Sequence, residues 1–246
     1  MRRPVVVPTA DEAAARLADL AIDALAGACA SGGRVDAAIA GGFVCERVLP
    51  AMRARANEVE WSRVRVWWVD ERFVAADDPD RNDLAAIASF FDEVPGARLM
   101  RMPADRSQGL DEAVREFGGT WAREMAGRRL DLVVAGMGPD GHVASLFPGF
   151  PWSMESGPDV VAVRRSPKPP PNRISLSMPV LTSARRILLG ACGSSKARAL
   201  SRAYGGAHPQ ECPAAALLDA GAEAVLDAQA ARELLTVAER GNERPS

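Results

Sequence analysis

Short apolar runs recur along this chain, and longer stretches with helical periodicity separate them. PVVVP (4–8), VDAAIAGG (35–42), VRVWWVD (64–70), LDLVVAGMG (130–138), VVAVRR (160–165) and RRILLGACG (185–193) read as strands. Between the first two, Thr9 is placed to cap a helix, with Glu12 completing a capping box. Leu17, Leu20, Ile22 and Leu25 give that helix an apolar face, and Gly32 and Gly33 end it. A helix with Pro50 in its early part follows the second strand. Asn82 is expected to cap a helix running to Phe91, and Ser107 one reaching Ala126; 194–204 and 227–235 read as two more. Strands alternating with helices form βαβ units. The expected class is therefore α/β, with a mostly parallel, Rossmann-like sheet flanked by helices on both faces.

At 246 residues the chain is expected to form one α/β domain over 1–246, with 240–246 as a frayed tail. The proline cluster SPKPPPNR (166–173) reads as a stiff loop within that domain. Net charge is -2, which argues against a nucleic-acid or anionic-membrane partner but leaves room for a small anionic substrate. The four cysteines, Cys29, Cys45, Cys192 and Cys212, have no metal-clip or redox spacing. With no secretory or membrane-spanning run, a cytoplasmic chain with reduced thiols and no metal is expected.

In open α/β sheets ligands bind beyond the carboxyl ends of the strands. Four segments follow strands here: AGGFVCE, VDERF, GMGPDGH and CGSSKA. Gly136, Gly138 and Gly141 fit G-x-G-x-x-G, but a dinucleotide cradle needs a long helix after the third glycine and an acid ending the next strand. Pro148 and Gly149 stop such a helix, and Asp159 begins its strand. No P-loop motif occurs.

The same loop presents His142, one of two histidines; His208 lies in a loop without chemical neighbours. His142 is expected to open a short helix, whose dipole would favour the neutral imidazole and equip it as a proton acceptor. The plainer reading is a turn-capping residue. Asp70, Glu71 and Arg72 offer a carboxylate to orient a histidine or water and a guanidinium for an anion; alone they also fit a solvated charge cluster. Gly41 and Gly42 can bring backbone N–H groups to a phosphate. Lys168 and Arg173 on the proline loop, with Ser194, Ser195 and Lys196 at a helix start, suit the same anion.

The order of these segments resembles the 6-phosphogluconolactonase family. DLVVAGMGPDGHVASLFPG is similar to its signature loop, and WWVDERFV followed by RND to its W-x-x-D-E-R-x-V segment and trailing S-N. SPKPPPNRISLSMPVL, GSSKARAL and CPAAALL resemble its later blocks. The resemblance covers nearly the whole chain and implies a NagB/RpiA-like fold and hydrolysis of a phosphorylated sugar lactone, as a monomer or weak homodimer, without metal or organic cofactor. It implies His142 as general base and Arg72 as the group near developing charge, with Asp70 and Glu71 orienting water, His142 or Arg72. Arg173 and Lys196 would grip the phosphate, with Lys168, Gly41, Gly42, Gly138, Asn82 and Ser145 around the substrate.

Two departures stand out. AGGFVCE replaces the family's S-G-G-S-T-P, losing both hydroxyls and the proline, and Arg81 replaces the serine of S-N, which is expected to add positive charge near the site. Two rival readings share the scaffold. Glucosamine-6-phosphate deaminases continue the DGH loop toward N-E-P-G, where this chain has Leu146 and Phe147. A non-catalytic sugar-phosphate binder would be expected to have lost His142 or Arg72.

Overall fold

The computed structural model describes residues 1–152, 154 and 157–234; the tail expected at 240–246 lies outside them. The elements run in the order β1 (Val5–Val7), α1 (Ala10–Ala30), β2 (Val35–Ile39), α2 (Leu49–Met52), β3 (Val64–Trp68), β4 (Asp70–Arg72) and α3 (Asn82–Ser89). There follow β5 (Arg98–Met100), α4 (Leu110–Met125), β6 (Leu132–Gly136), β7 (Val160–Val163), β8 (Arg173–Leu176) and α5 (Met178–Thr182). The last are β9 (Arg186–Ala191), α6 (Ala197–Tyr204), α7 (Ala214–Asp219) and β10 (Glu223–Asp227), after which residues 228–234 are helical.

Seven strands form one sheet in the order β1-β10-β9-β6-β2-β3-β5, and every pairing is parallel. The central strands β2 and β3 are buried at every residue, as strands covered on both faces should be, Asp36 and Arg65 included. Thr9 caps α1 through the N–H of Glu12, as its sequence predicts. No helix among the described residues is long and apolar enough to cross a membrane.

Three expectations need correction. VVAVRR does not join the main sheet: β7 belongs to a separate three-stranded antiparallel sheet, β4-β8-β7. VRVWWVD does not run as one strand either. The N–H of Val69 donates to Ile39 O in the parallel sheet (2.9 Å), while its carbonyl accepts from Leu176 N beside the antiparallel one (2.8 Å). One residue thus carries the chain between sheets, and Asp70, Glu71 and Arg72 pair with β8. Neither Asn82 nor Ser107 caps a helix: α4 begins behind Gly109 without a side-chain cap, and α3 is capped from a distance.

That distant cap is Glu71. Its Oε1 accepts from the N–H of Asn82 (2.7 Å) and of Arg72 (2.8 Å), and its Oε2 from the N–H of Asp83 (2.9 Å). One buried carboxylate satisfies the first donors of α3 and fixes the helix start against β4. Burial pushes this carboxyl up to about 7, reinforced by the nearby Asp83 charge and opposed by the N–H donors and Arg81.

At the opposite end of the sheet, Asp36 of β2 faces its cross-strand neighbour Arg65 of β3. Asp36 Oδ1 accepts from Arg65 Nε (2.6 Å) and Trp67 Nε1 (3.0 Å), and Arg65 Nη1 reaches Glu124 Oε2 on α4 (2.7 Å). Trp67 meets Trp121 of α4 edge to face, with ring centroids 4.7 Å apart. This network binds α4 to the sheet.

Asp36→Ala leaves the buried Arg65 guanidinium short of a partner and is expected to lower unfolding stability by about 3–5 kcal/mol in urea. Ligand binding at the carboxyl ends of the strands should be unchanged. For Glu71, the unfolded chain titrates near 4.5, so between there and about 7 the folded state holds the proton more tightly. Its contribution is fully present below pH 4.5 and is lost as pH rises through 7. Glu71→Gln should flatten the fall in urea midpoint across that window; an unchanged slope would show that another group titrates there.

Candidate active site

The loops after β2, β3, β6 and β9 converge on one cleft of about 230 Å³. Gly41, Gly42, Asp70, Arg72, Asn82, Gly138, His142, Lys168, Arg173 and Lys196 line it; of the expected site residues, Glu71, Ser145, Ser194 and Ser195 do not. Glu71 lies behind the cleft, where its carboxylate accepts from the N–H groups of Arg72, Asn82 and Asp83.

His142 does not open a helix. Residues 138–149 are turns with one isolated bridge, Val143 to Leu146, so no helix dipole acts on the imidazole and Ser145 is not one helical turn away. The loop is held by Gly138 N donating to His142 O (2.8 Å) and Gly141 N to Gly138 O (3.1 Å). A Cβ at Gly138 would lie 2.0 Å from two atoms of the His142 ring, so only glycine lets the imidazole fold back over its own loop.

The partner of the imidazole is Asp140, whose Oδ1 lies 2.5 Å from His142 Nδ1. Burial acts to raise the Asp140 carboxyl, but the hydrogen bonds and charge of His142 outweigh it and hold it down at about 2. When the imidazole is neutral, an ionised Asp140 favours the tautomer with the proton on Nδ1 and the lone pair on Nε2. Phe147 lies against the other side, with ring centroids 4.6 Å apart. The place of Asp140, two residues before His142 in GMGPDGH, is the sequence signal for this pairing.

Asp70 has a different partner. Its Oδ2 accepts from Ser145 Oγ (2.6 Å) and lies 3.9 Å from Arg173 Nη1, so it organises the cleft wall and not the histidine. Arg173 also donates to the carbonyls of Lys168 (3.1 Å), Pro169 (3.1 Å) and Pro170 (3.3 Å), clamping the proline loop, and stacks over Phe147 at 5.8 Å. Burial lowers its pKa. Nε and Nη2 of Arg173 are thus committed to backbone carbonyls, while Nη1 lies toward Asp70.

Lys196 and Lys168 face the cleft from opposite loops. Burial and then the like charge of Lys168 lower the pKa of Lys196, and an anion between the two ammonium groups relieves that repulsion. Arg72 donates through Nη1 to the Asp80 carbonyl, while its Nε is buried without a hydrogen-bond partner among the described residues. Asn82 Nδ2 donates to Asp70 O (3.0 Å), and its Oδ1 would lie 1.9 Å from a Cβ at Gly41.

The altered loop after β2 puts Phe43 into the cleft, with its ring against Gly190, and Cys192 completes that side. Burial, then the charge of Asp227, pushes the Cys192 thiol up to about 11, which makes it a poor nucleophile. Arg81 adds no charge to this cleft: it is buried and paired with Asp83 on the far side of the α3 start. Among the described residues no cluster of three or more His, Cys, Asp or Glu side chains is placed to hold a metal ion.

A model of the family described as glucosamine-6-phosphate isomerases/6-phosphogluconolactonase matches residues 8–226. The 6-phosphogluconolactonase of Streptomyces coelicolor is 38% identical over 221 residues, 84% of this chain and 82% of that protein. That of Mycobacterium tuberculosis is 35% identical over 219 residues, 85% of this chain and 89% of its own. Among solved structures, a 6-phosphogluconolactonase from Shewanella baltica superposes with a TM-score of 0.80 at 22% identity, covering 92% of this chain and 99% of that one. A monomeric glucosamine-6-phosphate deaminase of the NagB superfamily superposes at 0.76 and 19%, covering 94% and 100%. These two likenesses establish a shared NagB/RpiA-like fold, and the closer sequence relatives narrow the kinship. The chain belongs to the glucosamine-6-phosphate isomerase/6-phosphogluconolactonase family, on its 6-phosphogluconolactonase side.

Proposed function

We propose that this protein hydrolyses 6-phospho-D-glucono-1,5-lactone to 6-phospho-D-gluconate, the second step of the oxidative pentose phosphate pathway. The observation that carries the reading is the Asp140–His142 pair, which opens Nε2 to a cleft with two lysines on its rim. Nε2 takes a proton from a water molecule as the water oxygen bonds to the lactone carbonyl carbon. Negative charge moves onto the carbonyl oxygen, near the Arg72 guanidinium. When the tetrahedral intermediate collapses, the bond to the ring oxygen breaks, and the imidazolium returns its proton to that oxygen. Lys168 and Lys196 hold the phosphate, and Asp70 keeps Arg173 and Ser145 in place around the substrate. A lactone is already activated, so one positioned base and one water suffice, without a covalent intermediate.

The loop argues against the deaminase reading. A further acid, from the N-E-P-G continuation of the loop, is wanted there for ring opening beside the Asp140–His142 pair, and Leu146 and Phe147 at that place are both buried apolar residues. A non-catalytic binder would have no use for an imidazole aligned by a carboxylate.

The first test is the decay of freshly generated 6-phosphogluconolactone at mildly acidic pH, where the uncatalysed reaction is slow. The folded protein should accelerate it clearly. His142→Ala should lower kcat by about 10²–10⁴-fold while retaining 6-phosphogluconate binding; normal turnover by that variant sinks the general-base assignment. Lys196→Ala should instead raise KM about tenfold or more with kcat little changed, the mark of a group that binds ground and transition states alike.

A further inference from the structure

Arg81 is the feature the catalytic reading does not absorb. Its side chain is 1% exposed. Nε and Nη2 donate to the two oxygens of Asp83 (2.9 and 2.6 Å), and Nη2 also to Met102 O (2.8 Å). Nη1 is buried with no hydrogen-bond partner among the described residues. Unpaired buried guanidinium donors are rare because desolvation is not repaid.

Arg81 lines a second cleft of about 510 Å³, larger than the catalytic one and sharing no lining residue with it. Arg101 and Arg106 line it as well. Arg101 Nε donates to the same Asp83 (2.7 Å), so one carboxylate serves two guanidinium groups. Glu71 lies 3.8 Å from Arg81, but both its oxygens are occupied by backbone N–H groups. The exposed Arg106 side chain has no ion pair among the described residues. The wall formed by α4 presents Glu116 and Thr120, and Gln108 lies at its foot. Glu112 is engaged with Arg115 (2.6 Å).

We infer that this cleft is a second binding site, for a small hydroxylated anion. A phosphate or carboxylate head sits between Arg81, Arg101 and Arg106, and hydroxyls reach Glu116, Thr120 and Gln108. The arginine fork suits an oxyanion, and the α4 wall suits neutral hydrogen-bonding groups while discouraging a second negative charge. Occupancy is felt next door. The Asp80 carbonyl holds Arg72, and Asn82 holds the Asp70 carbonyl, so the residues flanking Arg81 both contact catalytic groups.

The test is a ¹H–¹⁵N NMR titration of the full chain with inorganic phosphate, repeated with gluconate, in a Lys196→Ala background that weakens the catalytic cleft. Saturable shifts are expected at the amides of 101–108 and at Arg81 Nε, with a dissociation constant on the order of 1 mM. Arg106→Ala, at an exposed position, should weaken these shifts about tenfold, with Arg106→Lys intermediate. Arg81→Met, volume-matched, should abolish them. Shifts confined to the amides near Gly42, His142 and Lys196, or shifts at 101–108 that Arg106→Ala leaves unchanged, overturn the proposal. The readout is binding, so it stands or falls separately from lactone hydrolysis.

Discussion

The geometry of this protein turns on the peptide groups of Val69. Its N–H completes the parallel sheet and its carbonyl joins the chain to the neighbourhood of the antiparallel one. No loop intervenes, so Asp70 leaves the sheet edge at a fixed height and angle. From there β4 lies along β8, which brings Arg173 and the proline loop over the carboxyl ends of β2, β3 and β6. A looser connection would leave the same side chains in the sequence without a common cleft.

Three carboxylates near that edge then do three different things, and their partners decide which. Glu71 meets backbone N–H groups and becomes the cap of α3. Asp70 meets a hydroxyl and a guanidinium and becomes a brace for the cleft wall. Asp140 meets an imidazole nitrogen and sets its tautomer. Burial acts upward on both Glu71 and Asp140; the Glu71 carboxyl rises, while the imidazole in contact with Asp140 brings that one down.

The sequence made some of this readable. The apolar runs of β2, β3, β6 and β9 declare themselves, and the rule placing ligands at strand carboxyl ends points to the loops that bring Gly41, His142 and Lys196 to one cleft. β5 and β8, three and four residues long, carry little periodicity, and β10 hides between Gly221 and the final helix. The capping assignments at Asn82 and Ser107 failed for a different reason. Local spacing cannot reveal that a carboxylate from another strand has already satisfied the donors of α3. The helix expected after His142 failed because Gly138, Gly141 and the backbone of His142 bond to one another, leaving no free run for helical hydrogen bonds. Arg81 looked like a cleft residue from its place beside Asn82, yet neighbours at a helix start point to different sides.

The close approach of Asn82 to Gly41 has its own consequence. The φ of Gly41 is not in the left-handed region, so backbone freedom is not what requires a glycine there; the amide oxygen of Asn82 fills the volume a methyl group would need. Positions 41 and 82, far apart in the chain, therefore behave as one unit of shape. A variant that enlarges one without shrinking the other forces α3 away from the sheet, and with it the Asp70 carbonyl. Reshaping this end of the cleft for a bulkier or differently branched sugar means rewriting both positions together, so the route to a new substrate passes through paired changes that single-site searches do not sample.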